Sequence, residues 1–217
     1  MIICRHPVAA LGVLALAAAV LPQRAFGEGA AQAVDDRPVI LAVGESTTAG
    51  YGVDHELSYP SQLQKILDER GYRYRVVNHG VSGSTTQDAL NRLDRGMALQ
   101  PKIVIIALGG NDGGGRVPIE RTRQNMAKLI SMFKRVGAEV FVTDRRLSAD
   151  RSDAASIFSA LATEYNAVLM PPLLTGVSGH PDLLLSDGSH PTAEGYRIIV
   201  GNIFRILEPH LKQPQHP

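Results

Sequence analysis

The sequence contains one cysteine and no tryptophan. That cysteine, Cys4, lies ahead of an N-terminal apolar run, so a chain cut beyond the run has no thiol. This excludes a cysteine nucleophile, a thiolate metal site and a disulfide. Basic charge is also scarce. The net charge is +1, with 22 Lys and Arg against 21 Asp and Glu and no basic cluster, so nothing directs the chain towards nucleic acid or an anionic membrane surface. The run VAALGVLALAAAVL, residues 8–21, has 14 residues, fewer than the about 20 that span a bilayer. Three ligand motifs are missing as well. Without G-x-S-x-G, the ordinary nucleophile elbow is excluded. GGNDGGGR lacks the lysine and hydroxyl of a phosphate loop, and no G-x-G-x-x-G follows the first strand to make a dinucleotide site.

What is present begins with a leader. Arg5, the apolar run and the small-residue sites AFG and AQA form the three-part pattern of a secretory signal peptide, cut after Gly27 or as late as Ala33. Removing residues 1–27 takes away Arg5 and Arg24, leaving 20 basic and 21 acidic residues, a net charge of −1. This pattern places the mature protein in the periplasm or outside the cell, with no stable membrane insertion.

From residue 37 strand and helix signals alternate. RPVILAV, YRVVN, PKIVIIALGG, EVFVTD and AVLMPPL read as strands, PKIVIIALGG most clearly. YPSQLQKILDERG, TTQDALNRLDRGM, PIERTRQNMAKLISMFKRVG, DAASIFSALATEYN and TAEGYRIIVGNIFRILEPHL read as helices, TTQDALNRLDRGM being capped by Thr85 or Thr86. Repeated strand–helix units predict one α/β domain over 37–211, on a parallel, doubly wound sheet. Residues 212–217 read as a frayed tail.

In such sheets ligands bind beyond the carboxyl ends of the strands. GESTTAG follows the first strand, NHGVSGSTT the second and GGNDGGG the third, and SDGSHPTAEG precedes the last helix. Ser46 is a nucleophile or a polar residue opening a turn. Asp187 precedes His190 by three residues, close enough to orient an imidazole, and the pair is equally a solvated loop; two ligands alone make a poor metal site. Asn111 offers a side-chain amide to a developing oxyanion, or makes a turn. Gly83 offers an open backbone N–H or is a turn glycine. His55, His79, His180 and His210 have no partner at a useful spacing and read as surface or packing residues.

Taken in order, Gly44-Glu45-Ser46, Gly83, Gly109-Gly110-Asn111-Asp112 and Asp187-Gly188-Ser189-His190-Pro191 make the chain resemble the SGNH hydrolases, also called GDSL esterases and lipases. STTAGYG, VVNHGVSGSTT, LGGNDG and DLLLSDGSHPTAEGY carry a closer likeness to exported bacterial arylesterases and acyl-CoA thioesterase/lysophospholipases. The resemblance implies a three-layer α/β/α sandwich with a flavodoxin-like sheet. It implies hydrolysis of carboxylic esters, and of acyl thioesters, through an acyl-enzyme, with no metal or cofactor and a small-molecule acyl substrate as partner. It assigns Ser46 as nucleophile, His190 as base and Asp187 as the acid that orients it. The Ser46 and Gly83 amides and the Asn111 side chain match the oxyanion hole. A carbohydrate O-deacetylase on the same frame and a non-catalytic binding module remain as alternatives. Two departures stand out. The family usually has Asp where this chain has Glu45. Glu45 adjoins the nucleophile, its charge has no part in these roles, and neighbours such as Thr47 or His79 are expected to receive its extra methylene. Close relatives also carry a proline and an NYG element after the fourth strand, where this chain reads RRLSADRSD.

Overall fold

The computed structural model describes residues 35–113, 116–145 and 156–212. The expected leader, 1–27 or 1–33, and residues 213–217 of the expected tail lie outside them. Lys212 is not frayed, because its amide donates to the Tyr74 hydroxyl at 3.1 Å.

Five parallel strands form one sheet: β1 Val39–Gly44, β2 Arg75–Gly80, β3 Ile103–Ala107, β4 Glu139–Thr143 and β5 Val168–Met170. Their order is β2-β1-β3-β4-β5, the flavodoxin-like arrangement that the resemblance implied. Every residue of β1 and β3 is buried, which explains the unbroken apolar runs: both faces are covered. Alternate side chains feed two cores. Ile40, Ala42, Ile105 and Phe141 pack with Leu63, Leu67, Tyr196 and Ile203 from helices α2 Tyr59–Glu69 and α7 Ala193–Leu207, numbered after the single-turn α1 Ser46–Ala49. Leu41, Val43, Val104 and Ile106 pack on the opposite face with Leu93, Leu129, Phe133 and Leu161. These come from α4 Leu93–Met97, α5 Ile119–Arg135 and α6 Ile157–Glu164, beside α3 Thr86–Asn91.

Two elements differ from the sequence reading. The single helix expected over 85–97 is broken at Arg92, whose φ of −111° and ψ of 10° leave the helical region. The bend turns Leu93 and Gly96 onto the sheet, both buried. Thr85 caps α3, and Asp88 completes the reciprocal capping box. At the other difference, a helical turn begins at Ser46 itself, with Glu45 in the cap position and making no side-chain cap bond.

The chain leaves β1 towards the α2 face and β3 towards the α5 face. A crevice opens where neighbouring strands send their connections to opposite sides. The loops after β1 and β3 border it.

Candidate active site

Ser46 sits at the mouth of this crevice, partly exposed. Its turn is held from both sides of the α2–α7 layer. The Tyr59 hydroxyl donates to Thr48 Oγ1 at 3.4 Å, and the Tyr196 hydroxyl donates to the Thr47 carbonyl at 3.0 Å. Ser46 Oγ lies 2.8 Å from His190 Nε2. His190 Nδ1 lies 2.7 Å from Asp187 Oδ2. The structure thus joins three residues that the sequence separates by 144 positions, and Ser46 spends its hydroxyl on an imidazole instead of a helix cap.

The loop carrying the imidazole is closed on itself. The Leu185 amide donates to the His190 carbonyl at 2.7 Å, and Leu184 and Pro191 form an isolated antiparallel bridge. Inside it, Asp187 Oδ1 accepts from the Ser189 amide at 2.9 Å and the His190 amide at 3.0 Å. The His190 amide, then the Ser189 amide and the imidazole, hold the Asp187 carboxyl well below the usual carboxylate range. Asp187 therefore stays an acceptor, which fixes a proton on Nδ1 and leaves Nε2 to accept from Ser46. Tyr51, half-exposed, lays its ring against the imidazole with centroids 4.4 Å apart.

On the other side of Ser46 a carboxylate is buried. Glu45 is 6% exposed. Its Oε1 accepts from the Gly110 amide at 2.9 Å, and its Oε2 accepts from the Asn111 amide at 3.0 Å and from Asn111 Nδ2. Arg145 Nη1 lies 3.4 Å from Oε1. Gly110 makes this pairing possible, because a Cβ there would come within 2.3 Å of Arg145 Nη2 and 2.7 Å of Glu45 Oε1. Burial pushes the Glu45 carboxyl up, while Arg145 and the two amides pull it back. The longer side chain is thus received by Gly110, Asn111 and Arg145, not by Thr47 or His79 as the sequence suggested. Nor is its carboxylate a bystander, since it touches the amide assigned to the oxyanion hole.

Asn111 Nδ2 also donates to the Ser84 carbonyl at 3.0 Å, so both its hydrogens are engaged. Its neighbour Asp112, 1% exposed, accepts from the Thr86 amide at 2.9 Å and the Thr122 hydroxyl at 2.9 Å, tying the loop after β3 to α3 and α5. Gly83 is exposed at the crevice edge with φ +78°, a conformation that favours glycine.

A cavity of about 540 Å³ opens from Ser46 and His190. Ala107, Pro172, Leu173 and Leu174 give it apolar walls, and Thr143, Asp144 and Arg145 add polar groups to the lining. The sequence reading reached Arg145 only as the first residue of the departing segment RRLSADRSD and gave it no role; it stands just past the end of β4 at the same sheet edge as the other site loops. The rule that ligands bind beyond strand carboxyl ends, applied to the fourth strand as to the first three, would have singled it out. Ser84 and Arg92 were missed because nothing in their local sequence marks them. Among the described residues no group of three or more His, Cys, Asp or Glu could hold a metal ion. His79 is partly buried, with Nε2 making no hydrogen bond. His210 does have a partner, Glu139 Oε1 at 2.6 Å, from 71 residues away.

Residues 42–198 match the model of the GDSL-like Lipase/Acylhydrolase family. The chain is 34% identical over 178 residues to an arylesterase of Vibrio mimicus, covering 79% of this chain and 89% of that protein. It is 32% identical over 176 residues to esterase TesA of Pseudomonas aeruginosa, covering 78% and 88% respectively. A crystal structure of TesA superposes with a TM-score of 0.73 at 32% identity, over 79% of this chain and 98% of that one.

Proposed function

The chain belongs to the GDSL-like lipase/acylhydrolase family and is a carboxylic ester hydrolase, and on that premise we propose that Ser46, His190 and Asp187 carry the reaction. His190 Nε2 takes the Ser46 proton as Oγ attacks the acyl carbon, then returns it to the leaving alcohol. Water repeats the sequence on the acyl-enzyme. The carbonyl oxygen, turning anionic, draws on the Ser46 and Gly83 amides and on Asn111 Nδ2. For that, Asn111 must exchange one of its two present acceptors for the oxyanion. The observation that carries this reading is the unbroken relay from Asp187 through His190 to Ser46, at 2.7 and 2.8 Å. It weighs against the non-catalytic module, which has no need of a serine bonded to an oriented imidazole.

Substrates are small acyl esters, with lysophospholipids and acyl thioesters included in the proposal. A second reading, carbohydrate O-deacetylation, draws support from the polar share of the cavity lining, Thr143, Asp144 and Arg145 among it. The leader at 1–27, a catalytic domain over 37–211 and a periplasmic or secreted location belong to the same proposal. No helix among the described residues is long and apolar enough to cross a membrane.

A fluorophosphonate probe tests the site. The wild type should be labelled at Ser46 and Ser46→Ala should not, since only an activated serine reacts; labelling that persists in the variant overturns the assignment. Rates on a series of aryl esters of increasing acyl length, set against acetylated sugars, separate the two substrate readings.

A further inference from the structure

Arg92 stands at the break between α3 and α4, half-buried behind the crevice. Its Nη2 donates to the Gly44 carbonyl at 3.0 Å, and its Nη1 donates to the Ser84 hydroxyl at 2.5 Å. Gly44 ends β1, two residues before Ser46. Its carbonyl also accepts from the Val81 amide at 3.1 Å. Ser84 follows Gly83 and gives its own carbonyl to Asn111 Nδ2 at 3.0 Å. One guanidinium therefore bridges the loop that carries the Ser46 amide and the loop that carries the Gly83 amide.

The arrangement is costly as pure architecture. Burial pushes the Arg92 guanidinium's pKa down, because the charge is partly desolvated. Its Nε is buried and makes no hydrogen bond. Asp88, one turn back, adds its field, but its Oδ2 is taken by the Thr85 amide at 2.9 Å and hydroxyl at 2.7 Å. Both acceptors of the guanidinium are neutral. A cation placed in this way is retained at a loss in solvation unless its two bonds do something a neutral side chain cannot. A planar fork fixes the separation and angle of two acceptors, whereas an ammonium on a flexible stem does not.

We propose that Arg92 is a positioning residue for the oxyanion hole, holding the β1 and β2 loops at the spacing that lets the Ser46 and Gly83 amides and Asn111 converge on one oxygen. It touches no reacting atom and acts through Gly44 and Ser84. The inference rests on the hydrolase reading.

The test compares wild type, Arg92→Lys, Arg92→Met and Arg92→Ala on a short aryl ester. Arg92→Met should lower kcat by about 10- to 100-fold with KM nearly unchanged, the size of effect that a displacement on the order of 1 Å produces at reacting groups. The pH midpoint should stay at its wild-type value, because Asp187 and His190 lie on the other side of Ser46. Arg92→Lys should fall between wild type and Arg92→Met. Methylguanidinium added to Arg92→Ala should recover part of kcat, while the wild type at the same concentration is unaffected. If Arg92→Met is insoluble, Arg92→Lys and the rescue decide. Wild-type kcat in Arg92→Lys and in any soluble Arg92→Met, or a kcat loss in Arg92→Ala that methylguanidinium leaves untouched, overturns the proposal. An inactive wild type would instead sink the hydrolase reading, so the two failures are distinguishable.

Discussion

Asp187 and His190 lie three residues apart in one self-closed turn, whereas the groups on the far side of Ser46 come from positions 45, 83–84, 92, 110–111 and 145, stretches far apart in the chain that meet around the buried Glu45 carboxylate. The first arrangement handles a proton. It needs one carboxylate aimed at one imidazole nitrogen, and neighbouring backbone amides suffice to hold the carboxylate in place. The second prepares a site for a negative charge that exists only during reaction. Such a site must be built before the charge arrives, from dipoles that cannot relax away, and this calls for several loops braced against each other. Hence the two guanidinium groups on that side, Arg92 and Arg145, where the Asp187 turn makes do with its own backbone.

The largest effect should come from the residue both sides share. Ser46→Ala should cost several orders of magnitude in kcat with the thermal midpoint nearly unchanged, since the members of such a relay act as a unit. A variant retaining half the wild-type kcat would remove Ser46 from the mechanism. Next, on the proton side, Asp187→Asn should lower kcat by about 10³- to 10⁴-fold, because an amide can hold the wrong imidazole tautomer. On the anion side, Asn111→Ala should cost about 10²- to 10³-fold in kcat with little change in KM. Equal losses from these last two would erase the contrast between the two sides.

Acid should disable the base, because Nε2 must be free of a proton to accept from Ser46. Asp187 is held low by its amide donors, so it remains ionised while His190 gains its proton, and kcat/KM should fall about tenfold per pH unit along a single-proton limb. A limb with the slope of two protons would mean that a second group takes part, Glu45 being the carboxyl that burial pushes up, and a flat profile between about pH 5 and 8 would count against a histidine base. The smallest effect should be Glu45→Asp. Shortening the side chain withdraws the carboxylate by on the order of 1 Å, but the Gly110 and Asn111 amides remain as donors. Steady-state kinetics on a short aryl ester should show a change in kcat/KM of less than about tenfold, roughly 1.4 kcal/mol of barrier. A hundredfold gain would mark the native Glu45 as an impairment.

The same contrast separates what the sequence revealed from what it hid. The order of strands and helices was legible because each is marked by local periodicity, as in Val39–Gly44 and Ile103–Ala107. The Asp187–His190 pair was legible in part: three residues of spacing fit one turn, and the family resemblance told it from a solvated loop. The receiver of Glu45 was not, because Gly110 and Asn111 are 65 and 66 residues away and Arg145 is 100 away, joined only by sheet register. The break at Arg92 was hidden too. TTQDALNRLDRGM has continuous helical character, and the break accompanies packing against the sheet and bonds from Arg92 to Ser84, eight residues away, and to Gly44, 48 away.

Gly110, Glu45 and Arg145 also constrain how this chain could have diverged. A methyl group at 110 meets only the far ends of two side chains, so Gly110→Ala is a mild change to the fold and a severe one to the ion pair. The three positions are therefore epistatic. A glutamate at 45 is tolerable beside a glycine at 110 and a cation at 145, and a lineage that lost either of the latter would have to shorten residue 45 first or carry through the intermediate step a buried acid held only by its amide donors.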